Sequence, residues 1–217
     1  LGEALTAVRE VLSRYGYGNA VMWGHLLDGN VHFTIFPDIN APKGIEQYAD
    51  FMRELVQTVL AYDGSLKAEH GTGRNMAPFV KAEWGETIYE WMWRAKQIID
   101  PKGLLNPGVL LNRDPEVFIH NMKHNPLANE LIDKCIECGF CERLCPARHV
   151  TLTPRQRIVV YRELSLLAER GETNSAYYQE LKQAFNYKGN ETCATDGLCA
   201  TACPVGINTG LLIKELR

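Results

Sequence analysis

The chain has 217 residues, 46% hydrophobic and 23% charged, an ordinary balance for a globular protein of one large or two small domains. A net charge of −3 speaks against nucleic acid as the main partner, and no apolar run approaches the ~20 residues of a membrane span. All seven cysteines fall in the last 83 residues, so the two ends of the chain carry different chemistry.

Residues 20–36 read AVMWGHLLDGNVHFTIF, two apolar runs flanking Asp28-Gly29, a hairpin-turn dipeptide. With Asp28 and Gly29 as the two loop residues, Leu27 pairs with Asn30, Leu26 with Val31 and His25 with His32. Directly opposed residues share a face with Cβ atoms ~5 Å apart, so the two imidazoles can share one metal ion. Two polar strand residues would give the same pattern. Residues 65–74 read SLKAEHGTGR, a short strand from Ser65 to Glu69 followed by a tight Gly71-Thr72-Gly73 loop. The third glycine of a dinucleotide fingerprint is missing. Glu69 and His70 stand at the strand's end, where loop residues present side chains to one site. His25, His32 and Glu69 make two imidazoles and a carboxylate, a set that leaves open positions on a divalent metal. His70 remains as a general base.

Val80 to Ile99 reads as a helix with Trp84, Ile88, Trp91 and Ala95 on one face, the pattern of core packing. Asn112 to Asn129, holding Asp114-Pro115 and Asn125-Pro126, reads as a linker in which His120 and His124 are solvated. The expected division is residues 1–112, a linker over 113–127 and a second domain over 128–217.

Cys135, Cys138, Cys141 and Cys145, followed by Pro146, form C-x2-C-x2-C-x3-C-P, the spacing that wraps iron–sulfur clusters in bacterial ferredoxins. Cys193, Cys199 and Cys203, followed by Pro204, align with it when Asp196 takes the place of the second cysteine. A disulfide framework fits poorly, because seven is odd and the spacing is regular. Zinc remains open, since C-x2-C pairs bind it too. In two-cluster ferredoxins the fourth cysteine of a run ligates the other cluster. One cluster therefore takes Cys135, Cys138, Cys141 and Cys203. The other takes Cys193, Cys199 and Cys145, with Asp196, a solvent oxygen or nothing at its fourth corner, making it 4Fe–4S or 3Fe–4S. Asp196 also fits a plain turn, in Thr195-Asp196-Gly197. His149, near Cys145, is a weaker candidate for tuning a cluster.

The 47 residues between Cys145 and Cys193 are helical in pattern. Thr153 caps a helix whose first residue is Pro154, with Ile158, Tyr161, Leu164, Leu167 and Ala168 on one face until Gly171. A second helix spans about Ser175 to Phe185, with Tyr178, Leu181 and Phe185 on one side, and a third starts near Asn208. Lys182 to Lys188 reads as a solvated face. Residues 128–217 resemble the α-helical ferredoxins of succinate dehydrogenase and glycolate oxidase iron–sulfur subunits.

GHLLDGNVH, EHGTGR and DPKGLLNPG, in that order, resemble the C-terminal cap domain of FAD-linked oxidases over residues 1–112. The joined pair resembles fused FAD and iron–sulfur D-2-hydroxyacid dehydrogenases of the D-lactate or D-2-hydroxyglutarate type. The implied fold is an incomplete α+β cap followed by an all-α ferredoxin. The resemblance implies a divalent metal, zinc for preference, on His25, His32 and Glu69, with His70 as base and Asn106 near the flavin. Thr34 departs from the family, which often has Asn there, touching substrate. The flavin-binding domain and the first half of the cap are not in the sequence, so a C-terminal segment of a longer enzyme is expected, with FAD held mainly by the missing part.

The implied function is oxidation of a D-2-hydroxy acid to a 2-oxo acid, with electrons passing from FAD through two iron–sulfur clusters to an acceptor protein or quinone. The expected location is cytoplasmic, or peripheral at the inner membrane face. The alternative is an electron-transfer module whose N-terminal half is a docking scaffold without metal.

Overall fold

The computed structural model describes residues 1–39, 41–123 and 125–217; His124 lies outside them. The chain divides into two compact units, Leu1–His124 and Asn125–Arg217.

In the first unit, α1 (Gly2–Arg14) packs against α2 (Pro42–Ala61), whose Pro42 occupies the first turn, where no backbone donor is needed. Val11 and Leu12 of α1 meet Tyr48, Ala49, Phe51, Met52 and Leu55 of α2, closed off by Phe118. Phe51 is completely buried and takes edge-on contacts from Tyr15, Tyr17 and Phe33 at 5.8, 5.1 and 6.1 Å between centroids. Val117 and Phe118, in the stretch read as a linker, are buried on this side of the division.

Strands β1 (Val21–Trp23) and β2 (His32–Thr34) form an antiparallel pair with Val21 opposite Thr34, Met22 opposite Phe33 and Trp23 opposite His32. Met22 and Phe33 pack on the Phe51 cluster. Side chains alternate along a strand, so His32 and Trp23 face away from it. The pairing differs from the two-residue hairpin expected: Trp23, not His25, stands opposite His32. Leu26–Asp28 curl into a 3-10 turn in which the Asp28 and Asn30 amides both donate to the His25 carbonyl, at 2.9 and 3.2 Å. That turn takes His25 out of the ladder. Gly24 permits it, with φ 146 and an added Cβ falling 2.4 Å from the Asn30 carbonyl oxygen.

Ser65 to Glu69 is not the strand expected but a run of turns, with Ala68 at φ 45 and the His70 amide bonded to the Lys67 carbonyl at 3.0 Å. It is moored by α4 (Val80–Ile99), which follows the short α3 (Gly73–Met76). Glu83 accepts from Ser65 Oγ at 2.9 Å and pairs with Lys67 Nζ at 3.3 Å, and that ammonium lies 4.7 Å from the Trp84 ring centroid. The α4 face expected in the core is also corrected. Trp84, Ile88, Trp91 and Ala95 are exposed, whereas Val80 and Tyr89 are buried with Met92 and Trp93 against them. A break at Gly85 (φ 78, ψ 164) rotates the helix after its first turn, so a single helical period does not describe it.

The second unit is built from helices, with no strand among its described residues. Helix α5 (Pro154–Glu169) starts with a capping box: Gln156 N donates to Thr153 Oγ1 at 3.4 Å and Thr153 N to Gln156 Oε1 at 2.9 Å. Thr153 Oγ1 also donates to Glu142 Oε1 at 3.0 Å, tying the helix to the first cysteine run. Ser175 caps α6 (Ala176–Phe185), and Asn208 caps α8 (Thr209–Leu216). The short α7 (Leu198–Thr201) carries Cys199. Ile132, Ile158, Ile207 and Leu212 form one core and Leu164, Phe185 and Ile213 another. Of the expected α5 face, Ala168 is exposed. No helix among the described residues is long and apolar enough to cross a membrane.

The Thr153→Ala variant loses both the cap and the bond to Glu142. It should unfold about 1–2 kcal/mol more easily than wild type, whereas Thr153→Ser should stay close to it, read by denaturant titration of the chain.

Candidate functional site

Glu69 is the centre of a group in the first unit. Its Oε1 lies 3.2 Å from His70 Nε2, 3.4 Å from His32 Nε2 and 3.9 Å from His25 Nε2. The turn over 65–70, held by Glu83, brings Glu69 and His70 to β2. The parity of β2, set by Phe33 in the core, turns His32 toward them. Trp23 stacks on His32 at 4.6 Å and His70 lies 4.9 Å from it, centroid to centroid, which fixes that ring from two sides. The His32 side chain is 14% exposed, whereas Glu69, His70 and His25 are 44%, 67% and 70% exposed.

One ligand atom each from His32, Glu69 and His70 lies within 4.8 Å of the others, the one such cluster among the described residues. On a tetrahedral zinc ion with bonds of ~2.1 Å, neighbouring ligand atoms stand ~3.4 Å apart, so the spacing suits a divalent ion. His25 stands at the margin of the group, although it was expected inside the ligand set, and His70, expected to be spare, is inside it.

Asn106 stands apart, exposed and at φ 43, in the loop after α4. Asp100 organises that loop, accepting from the Leu104 and Leu105 amides at 2.9 Å each and pairing with Lys96 Nζ at 2.7 Å, while Lys96 also donates to the Leu105 carbonyl. The Lys96 ammonium, then the Leu105 and Leu104 amides, hold the Asp100 carboxyl down to about 2 from its ordinary 3.8.

In the second unit all seven cysteines are free. Cys135, Cys138, Cys141 and Cys203 line one cavity together with Arg155, Ile158 and Ile207. That is the cross-paired set expected from the motif. Burial pushes the Cys141 thiol up to about 11 and raises that of Cys135. No three sulfurs among the described residues lie within 4.8 Å of one another. Three sulfurs on a single zinc ion would stand ~3.8 Å apart, closer together than any three do here.

Cys145 and Cys199 are buried, and α7, which bears Cys199, packs against the 142–144 turn that precedes Cys145. Arg157 Nη1 lies 3.5 Å from Cys145 Sγ, and its Nη2 3.5 Å from the hydroxyl of Thr192, the neighbour of Cys193. Asp196 is exposed, and its Oδ1 accepts from the Leu198 amide at 3.1 Å, the contact of a turn residue. His149 is exposed, and His120 lies 2.9 Å from Asp114 Oδ2.

Sequence reasoning missed Arg157 and Arg162, both buried on α5. The signal was present: Arg157 precedes Tyr161 and Leu164 by four and seven residues, on the apolar face.

The profile of the C-terminal domain of FAD-linked oxidases matches residues 1–110, half of the chain. The chain belongs to the FAD-linked oxidases. The profile of a 4Fe-4S dicluster domain matches residues 131–207. A probable mitochondrial D-lactate dehydrogenase of Danio rerio is 35% identical over 88 residues, 41% of this chain and 18% of its own. A D-2-hydroxyglutarate dehydrogenase of Stutzerimonas stutzeri is 33% identical over 90 residues, 41% of this chain and 19% of its own. A D-2-hydroxyglutarate dehydrogenase of Pantoea ananatis is 26% identical across 96% of this chain, and so across both units, and 25% of its own. The chain thus spans about a fifth to a quarter of the length of these relatives. No solved structure matches it significantly.

Asp100→Asn should weaken hydrogen-exchange protection of the Leu104 and Leu105 amides at neutral pH. A carboxyl whose pKa is lowered by folding stabilises above its ordinary range and loses that stabilisation as pH falls. The difference between wild type and variant should therefore persist above about pH 4 and close as pH falls toward about 2.

Proposed function

We propose that this chain is the substrate-oxidising and electron-relaying part of a D-2-hydroxyacid dehydrogenase. The observation that carries the reading is Glu69 Oε1 within 3.9 Å of three imidazole nitrogens in an open site, on a chain whose other unit gathers Cys135, Cys138, Cys141 and Cys203 around one cavity. The names of the relatives support the substrate class.

By the family resemblance, His25, although at the margin of the group, joins His32 and Glu69 on a divalent ion, zinc for preference, which when bound would supply Lewis acidity toward the carboxylate and hydroxyl oxygens of the substrate. Glu69 supplies the anionic ligand, and Trp23 keeps the His32 ring aimed at it. His70 Nε2 takes the hydroxyl proton. Its exposure leaves room for substrate beside it and lets the proton pass to solvent. Asn106, in the loop that Asp100 clasps, would stand near the flavin. FAD, held mainly by a domain outside this chain, supplies the acceptor for the two electrons that leave as hydride, and the clusters supply one-electron storage for their onward transfer. The first cluster is held by Cys135, Cys138, Cys141 and Cys203. The second is held by Cys145, Cys193 and Cys199, with Asp196 or solvent at its fourth corner. The terminal acceptor is a protein or a quinone, met in the cytoplasm or at the inner membrane face.

Zinc binding to the chain, read by equilibrium dialysis, should be stoichiometric in wild type and lost in His32→Ala and Glu69→Gln. His25→Ala should lower it, and His70→Ala should keep it. In a flavin-loaded enzyme containing this chain, His70→Ala should lower turnover of D-lactate or D-2-hydroxyglutarate by about 100- to 10,000-fold. Metal loss in His70→Ala with retention in His25→Ala would exchange their roles. No zinc binding in wild type would return the first unit to a docking scaffold.

A further inference from the structure

Three arginines of α5 approach the cysteine loops, and their counter-charges differ. Arg155 pairs with Glu142, and Arg162 pairs with Glu137 at 3.3 Å. Both carboxylates belong to the first cysteine run, so the cations beside the Cys135 cavity are neutralised locally. Arg157 is the most deeply buried of the three, at 1% exposure, and no carboxylate among the described residues pairs with it. Its Nε donates to the Gly189 carbonyl at 2.7 Å, its Nη2 to Thr192 Oγ1 at 3.5 Å and its Nη1 to Cys145 Sγ at 3.5 Å. The arrangement is specified from both sides: an added Cβ on Gly189 would fall 2.3 Å from the Phe185 ring, so glycine lets that carbonyl reach inward. A guanidinium stays charged at any working pH, and burying one without an anion is costly. The group in reach that becomes anionic on ligating a cluster is the sulfur of Cys145.

We propose that Arg157 is the counter-charge of the second cysteine site, where it raises the reduction potential of the cluster held by Cys145, Cys193 and Cys199. The inference rests on the two-cluster reading above. Reduction adds one electron and no proton to the cluster, the electron coming from the reduced flavin of that reading, and the cluster becomes more negative by one charge. A fixed positive charge at hydrogen-bonding distance from a ligand sulfur, in a region shielded from water, favours the more negative state. The Cys135 site, where Glu137 and Glu142 cancel the nearby arginines, has no such bias. Of the two sites, the Cys145 site is where an electron comes to rest. Arg157 is thus a positioning residue for electrons, acting through Cys145.

The test is an anaerobic redox titration of the cluster-reconstituted 217-residue chain followed by electron paramagnetic resonance. Wild type should give two signals, the one abolished by Cys145→Ser having the higher midpoint. In Arg157→Gln that signal should become harder to reduce, with the reduced-to-oxidised ratio at fixed potential falling at least about tenfold, ~59 mV for a one-electron couple. The other signal should not move. Arg157→Lys keeps the charge but not the three-way fork, and should restore most of the midpoint. An unmoved midpoint in Arg157→Gln, or equal shifts of both signals, overturns the proposal. So does Arg157→Lys behaving as Arg157→Gln, because the arginine then acts through geometry. If Arg157→Gln fails to hold the second cluster, Arg157→Lys decides: a retained cluster near the wild-type midpoint supports the charge role, and its loss overturns it. A wild-type chain with no signal dependent on Cys145 overturns the two-cluster reading and this inference with it.

Discussion

The second unit depends on α5 delivering charge into its interior. Arg157 and Arg162 are both buried, and each spends its donors on loop carbonyls as well as on its ionic or sulfur partner. Arg162 Nη2 reaches the carbonyls of Ile132, Asp133 and Cys135 at 3.4, 3.2 and 3.1 Å, while Arg157 holds Gly189. Loops that must curve sulfurs toward a centre cannot pair their own backbone in a ladder, so side chains have to satisfy it. Arginine is the residue with enough donors to serve several carbonyls at once. The capping box at Thr153, linked to Glu142, then fixes where the helix begins relative to the first run.

The first unit solves a different problem with a different device. Its metal-type ligands come from segments far apart in sequence, and what aligns them is core packing. Phe33 in the Phe51 cluster sets the face of β2, and a one-residue slip would bury His32 and expose Phe33. Glu83, fixed on α4, moors the turns that carry Glu69 and His70.

Legibility in the sequence followed the range of the interactions. Helices α5, α6 and α8 were readable because Thr153, Ser175 and Asn208 are caps that act within three residues. That Cys135, Cys138, Cys141 and Cys203 line one cavity was readable because the spacing of the two runs brings their ends together. The hairpin was misread: Asp28-Gly29 is a turn signal, but the choice between a two-residue turn and a longer loop lies with Gly24 and the His25 carbonyl, which takes two amides. The Ser65–Glu69 strand was misread because no strand among the described residues pairs with it. An amphipathic stripe on α4 shows that a face is apolar, not that anything within the chain covers it, and Gly85 breaks the period besides. Arg157 and Arg162 were overlooked because charge is expected outside, and their compensation is visible only in three dimensions.

The two sites differ in exposure in the way the chemistries proposed for them require. A site that grips a hydroxy acid and removes a proton must admit substrate and exchange protons with water, and Glu69, His70 and His25 are largely open. A site that stores an electron gains from a drier surrounding, where a nearby charge acts with less screening. Cys145, Cys199 and Arg157 are accordingly buried. The contrast is one of degree: His32 is 14% exposed within the open group, and Cys138 is exposed although Cys145 and Cys199 are buried.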